Sequence, residues 1–269
     1  MRWLPVAALL WLATVAPAAT LEFLRDGKSV RRLDATALAA ACEPRTIAVD
    51  DPYYEAPKRY RACALPAVLE AGFGAPIARL GTEDVILRAL DGYAKPATLA
   101  QLGESGGYVA FGEADGKGFA PMGARALDPG PFYVVWTKPE QRDTHRYPWP
   151  YQLASIELAD VTKTFPHTVP TGVPAADPAW RGYELFRTDC IACHSVNAEG
   201  GSVGPDLNVP RAILEYRPVE QVKAYIRNPA SFRYGNMPSH EYLEPRDLDA
   251  LVAYFRAMQD RKHDPGGRR

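Results

Sequence analysis

The sequence predicts two domains, an α+β domain followed by an all-α one. Three observations carry that expectation. Short β-type runs alternate with short helical patterns up to about residue 161, a proline-rich stretch follows, and helical periodicity then holds almost to the end. A chain of 269 residues, 47% hydrophobic and 23% charged, can bury two modest cores. With 31 Lys and Arg against 32 Asp and Glu, it has no basic excess for nucleic acid or an anionic membrane surface.

The first residues read as an export signal, assigned to 1–19. Arg2 gives a positive start, an apolar run extends from Trp3 to Val15, and Ala16-Pro17-Ala18 offers a cleavage site. An uncleaved anchor is the alternative, but the run is shorter than the roughly 20 residues needed to span a bilayer. No second run of spanning length follows, so a mature chain without a transmembrane segment, in a bacterial periplasm, is expected. In that oxidising compartment Cys42 and Cys63 are either a disulfide or two buried thiols.

Residues 20–163 form the α+β domain. Strands are expected at Thr46–Val49, Tyr60–Ala64, Val85–Ala89, Tyr108–Phe111, Phe132–Trp136 and Ser155–Leu158, between Pro, Gly and Asp clusters. Helices are expected at Asp34–Ala41, where Asp34 suits an N-cap, and at Leu65–Ala71 and Lys95–Leu102, each with Pro in its first turn. The mixture lacks a regular βαβ beat, which favours α+β over a doubly wound sheet. Arg142, Asp143, His145, Arg146, Tyr147 and Trp149 form a polar and aromatic loop cluster, either a binding surface or a solvated loop. His145 and His167 lack paired ligand spacing and read as surface histidines.

Residues 164–178 (TFPHTVPTGVPAADP) hold four prolines without periodicity and read as a semi-rigid linker. Residues 179–262 form the helical domain, and 263–269 a frayed tail.

The helical domain carries the most specific motif, Cys190-Ile191-Ala192-Cys193-His194. Two thiols at this spacing reach the two vinyl groups of a haem, and the histidine after the second thiol is carried beneath the iron. A zinc half-site would need a second pair of N or S ligands, and no other C-x-x-C or H-x-x-x-H exists. A thioredoxin-like pair would follow a strand, whereas this one follows a helical pattern. Met237, in the polar Tyr234-Gly235-Asn236-Met237-Pro238 loop, is the expected distal ligand, with His240 or an open position as alternatives. Met258 falls on the apolar face of the last helix with Leu251, Val252 and Phe255 and reads as core, while Met122 lies in the other domain.

On these residues 179–262 resembles a class I cytochrome c. That family's first helix carries a small residue and aromatics before C-x-x-C-H, matched by Gly182, Tyr183 and Phe186, and its last helix an aromatic that crosses them, matched by Tyr254 or Phe255. The loop Gly204-Pro205-Asp206-Leu207 resembles the one whose Pro carbonyl accepts from the proximal histidine. The resemblance therefore implies that Pro205 orients His194. It implies one covalent haem c held by Cys190 and Cys193, with His194 and Met237 on iron.

Residues 87–93 (LRALDGY) and 130–161 resemble the short, degenerate branch of the sulfite-oxidase-like molybdopterin-binding fold. Its catalytic members bind molybdenum through a Cys in a basic segment containing His and Asn. Here Cys42 precedes Glu43-Pro44-Arg45, and Cys63 sits in Arg61-Ala62-Cys63-Ala64-Leu65. The resemblance thus carries over the fold, and molybdopterin is not expected. The function expected is single-electron transfer through the haem, with the first domain docking a periplasmic redox partner, a dehydrogenase or an oxidase. The alternatives are an oxidoreductase whose first domain has its own substrate or cofactor site, and a haem-based sensor or assembly factor.

Overall fold

The computed structural model describes residues 19–81 and 84–266, so the expected export signal lies outside the described residues except at its last position. The chain opens with β1 (Thr20–Arg25) and β2 (Lys28–Asp34), an antiparallel hairpin not expected from the sequence. Its turn, Asp26-Gly27, holds both residues at positive φ, 49° and 76°, as a tight hairpin turn requires. Asp34 caps α1 (Ala35–Cys42), its carboxylate accepting from Ala37 N–H at 2.7 Å. Then come β3 (Arg45–Asp51), β4 (Ala56–Ala64) and α2 (Leu65–Phe73), the last with Pro66 in its first turn.

β5 (Asp84–Ala89) pairs antiparallel with β6 (Ala94–Thr98), and this corrects the expected helix over Lys95–Leu102. Only α3 (Leu99–Leu102) is helical, capped by Thr98. Pro96 reads as a helix start, but β6 ends its sheet, where a residue without an N–H costs no ladder bond. β7 (Gly107–Glu113), β8 (Tyr133–Trp136) and β9 (Leu153–Leu158) complete the region.

The strands form a sheet ordered β2-β1-β9-β5-β6, with β1 and β9 parallel, and an antiparallel sheet ordered β3-β4-β7-β8. The core between them includes Phe23, Tyr60, Leu65, Val85, Val109 and Trp136, all at or near zero exposure. A disulfide joins Cys42 to Cys63, Cα–Cα 5.8 Å. The loop cluster after Gln141 is neither a solvated loop nor a free binding surface throughout. Tyr147 and Trp149 are buried, and Trp149 Nε1 donates to the Gln141 carbonyl at 2.9 Å.

A short helix, α4 (Val161–Thr164), leads into residues 164–178, which lie along the C-terminal helices. Tyr254 Oη donates to the Thr168 carbonyl at 2.7 Å and Arg261 Nε to the Thr171 carbonyl at 2.7 Å. The C-terminal region is helical, built on α5 (Pro178–Leu185), α6 (Val219–Arg227) and α7 (Pro245–Gln259), with a single two-residue strand pairing after His194. His263, the first residue of the expected tail, donates its N–H to Asn197 Oδ1 at 3.0 Å, and its ring stacks 3.6 Å from that of His167.

α5 crosses α7 at Gly182. A Cβ there would stand 2.0 Å from the Ala250 carbonyl oxygen and 2.7 Å from Tyr254 Cβ. Tyr254 is the aromatic of the crossing, its ring 5.9 Å from Tyr183 and 5.3 Å from Phe186. The second core is shared: Ile86, Ala94, Ala159 and Val161 of the N-terminal region pack with Phe186, Ile191 and Met258.

Gly182→Ala should force the two helices apart and destabilise the protein by about 1–3 kcal/mol, read as a lowered denaturation midpoint. An unchanged midpoint would mean that the crossing tolerates a methyl group.

Candidate haem site

α5 runs into a π-helical turn, Phe186–Cys190, and the chain then closes a helical turn through Cys193 N–H and His194 N–H, both donating to the Cys190 carbonyl at 3.1 and 2.9 Å. That turn gathers Cys190, Cys193 and His194 onto the wall of one cavity of about 670 Å³. Both thiols are free and half-buried. Burial pushes the Cys190 thiol up to about 12, with Asp189 adding to it, and the Cys193 thiol up to about 11, with Asp91 adding to it. Activated redox cysteines have lowered pKa values, so neither thiol has the environment of a thioredoxin nucleophile. Among the described residues no three His, Cys, Asp or Glu side chains converge as a metal site.

His194 Nδ1 donates to the Pro205 carbonyl at 2.8 Å, which leaves the Nε2 lone pair free. Burial lowers the pKa of the ring and keeps it neutral, the form that binds a metal. The Pro205 loop is itself pinned, since Gly204 N–H donates to the Cys193 carbonyl at 2.7 Å and Leu207 N–H to the Ser195 carbonyl at 2.9 Å. Gly204 has no room for a side chain: a Cβ would stand 2.4 Å from His194 Cε1.

Met237, half-buried, lines the same cavity. So does His240, which is buried, with Nδ1 3.0 Å from the Pro238 carbonyl and Nε2 without a partner among the described residues. Met258 is packed in the second core and Met122 in the N-terminal one, as their sequence positions indicated. His167 is paired with Glu199 at 2.5 Å. His145 is less isolated than its sequence position indicated, with its ring 4.8 Å from Tyr242 and 5.5 Å from His240.

Residues 179–259 match the family model described as cytochrome c. These residues are a cytochrome c domain. Among curated proteins, cytochrome c oxidase subunit 2 of Alkalihalophilus pseudofirmus is 33% identical over 94 residues, covering 32% of this chain and 27% of that protein. The chain therefore spans about a quarter of the length of this relative. The family match leaves the residues before 179 unassigned.

The cavity of the cytochrome c domain fits a haem in three respects. Its size lies within the usual range of cofactor pockets. Its walls are largely apolar, with Leu207, Ile213, Val222, Ile226 and Phe255 among them. Its lining includes Arg125, Arg217 and Arg233 against one acid, Asp189, a cationic excess suited to the two propionates of a haem. None of the three arginines was singled out in the sequence. Arg125 comes from the N-terminal region and bonds Asn236, beside Met237. No local pattern marks a residue brought in across more than a hundred positions.

Gly204→Ala should displace the imidazole from Pro205 and cost about 1–3 kcal/mol by denaturant titration. Gly235→Ala, where a Cβ meets nothing within 4 Å, should stay within about 0.5 kcal/mol. Equal effects would remove the steric constraint on His194.

Proposed function

We propose that this chain is an exported electron carrier that passes single electrons through one covalently attached haem c to or from a redox partner. The observation that carries the reading is the meeting of C-x-x-C-H, a Pro205-held imidazole and Met237 on one apolar cavity. A cytochrome c domain implies haem-based electron transfer. The haem supplies the one-electron Fe(III)/Fe(II) couple when bound.

Each residue has a distinct part. Cys190 and Cys193, whose free thiols line the cavity, would anchor the porphyrin by thioethers. His194 offers Nε2 to the iron, while Pro205 fixes the ring and its tautomer. Met237, on the same cavity, would be the residue that holds the iron opposite His194, and its thioether would favour ferrous over ferric iron relative to a second imidazole. The aliphatic walls exclude water and lower the local dielectric, which favours the less charged reduced centre. With His194 and Met237 both held on the cavity, the site is suited to a haem that would carry electrons and not bind substrate.

An export signal at 1–19 and the haem attachment chemistry together support a periplasmic location. The likeness to an oxidase subunit supports a terminal oxidase as the partner, with a dehydrogenase as the other class. The N-terminal region would dock that partner. No helix among the described residues is long and apolar enough to cross a membrane.

Two variants of the exported protein test the reading. Replacing Cys190 and Cys193 together with Ala should abolish haem that stays with the chain in a denaturing gel, and haem surviving there would refute covalent attachment. Met237→Ala should lose the weak long-wavelength sulfur-to-Fe(III) absorption band and shift the reduction potential downward. An unaltered spectrum would reject Met237 as the ligand.

A further inference from the structure

Lys95 lies on β6 of the N-terminal region, yet its side chain points at the haem-attachment segment. Its Nζ donates to the Thr188 carbonyl at 2.5 Å, in the π-helical turn that ends at Cys190. The next residue back ties the two backbones together, since Ala94 N–H donates to the Ala192 carbonyl at 2.8 Å, inside C-x-x-C-H itself. Ser202 N–H donates to the Gly92 carbonyl at 2.9 Å, closing the contact from the other side.

Lys95 is only 8% exposed, and lysine is rarely so buried without a carboxylate partner. Here Nζ has one hydrogen-bond partner among the described residues, a neutral carbonyl. Burial holds the Lys95 pKa below the ordinary lysine value, while the Asp189 carboxylate works in favour of the charged form. Among the described residues Lys95 forms no ion pair, and Asp189, the acid that bears on it, lines the haem cavity. Methionine would occupy similar space without the cost of burying an ammonium, so packing alone does not account for lysine.

Charge does. Reduction adds one electron to the iron porphyrin and makes it one unit more negative. A fixed cation close by, screened by protein rather than water, stabilises that state over the oxidised one. We propose that Lys95 is a potential-setting residue: the N-terminal region lodges its ammonium group behind the Cys190–Cys193 segment and thereby raises the reduction potential of the haem. This rests on the reading of Cys190–His194 as a covalent haem site. It gives the N-terminal region a part in the redox centre that is separate from docking a partner.

Spectroelectrochemical titration of the exported holoprotein tests this with three substitutions. Lys95→Met removes charge and hydrogen bond, Lys95→Gln keeps a donor for the Thr188 carbonyl, and Lys95→Arg keeps the charge. At a fixed applied potential, Met and Gln should each lower the Fe(II)/Fe(III) ratio about tenfold, a shift near 59 mV for one electron. Arg should stay within about threefold of the parent. The Met shift should persist at high salt, because a buried charge is little screened. Met should also be at least as resistant to denaturant as the parent, so that one variant remains readable if Gln fails to fold. A parent-like potential in both Met and Gln would overturn the proposal, as would an Arg variant that falls as far as Met. Haem content and the sulfur-to-iron band are read in every sample. An unmoved potential with both intact rejects Lys95 alone, whereas a parent protein without covalent haem rejects the electron-carrier reading beneath it.

Discussion

Gly182 lets the first helix of the cytochrome c domain meet the last at backbone distance, and two segments that line the cavity hang from that crossing. α5 runs directly into the turn that presents Cys190, Cys193 and His194, while α7 follows the loop that carries Met237. A rigid crossing therefore fixes how far apart those two segments lie. Tyr254 packs against Tyr183 and Phe186 and reaches the Thr168 carbonyl with its hydroxyl, so the crossing is closed on the side of residues 164–178 as well. Pro205 then sets the angle of one ring within the frame. The order of constraint runs from helix packing to loop to imidazole.

The same core extends beyond the cytochrome c domain. Ile86, Ala94, Ala159 and Val161 contribute apolar surface to it, so the N-terminal region is packed onto the haem-attachment segment and not merely tethered to it. The polar contacts follow the same line, with Ala94, Lys95 and Gly92 meeting Ala192, Thr188 and Ser202. Arg125 lines the cavity from a separate loop. Two cationic side chains from outside the cytochrome c domain thus reach it, Arg125 on the cavity wall and Lys95 at the Thr188 carbonyl. Electrostatics acts over several ångströms, so neither has to touch the iron to bias its charge state.

What could be read in advance divides along the range of the determining forces. C-x-x-C-H was legible because its chemistry is encoded within a few residues, and Met237 stood out by its polar loop, which the fold brings to the same cavity. Six strands were legible because β-branched and aromatic runs stood between Pro and Gly clusters. The first hairpin was overlooked although Asp26-Gly27 carries a strong turn signal, because charged residues dominate β2. Lys95–Leu102 misled because a proline near the start of an apolar run suits both a helix start and an edge strand, and only pairing with β5 decides between them. Tyr147 and Trp149 looked like an exposed cluster because their neighbours are charged, while their burial depends on a core assembled from distant strands. Lys95 and Arg125 had no local signature at all.

β6 explains why the two parts belong together. A strand at the end of a sheet leaves unpaired N–H and C=O groups, which invite pairing with another chain. On β6 that edge is dealt with twice: Pro96 contributes no N–H, and Ala94 N–H is taken by the Ala192 carbonyl. The bond that protects the edge is also the one that holds the strand against C-x-x-C-H, and one residue further along it places Lys95. Covering a sheet edge and placing Lys95 against the Thr188 carbonyl are therefore the work of one strand.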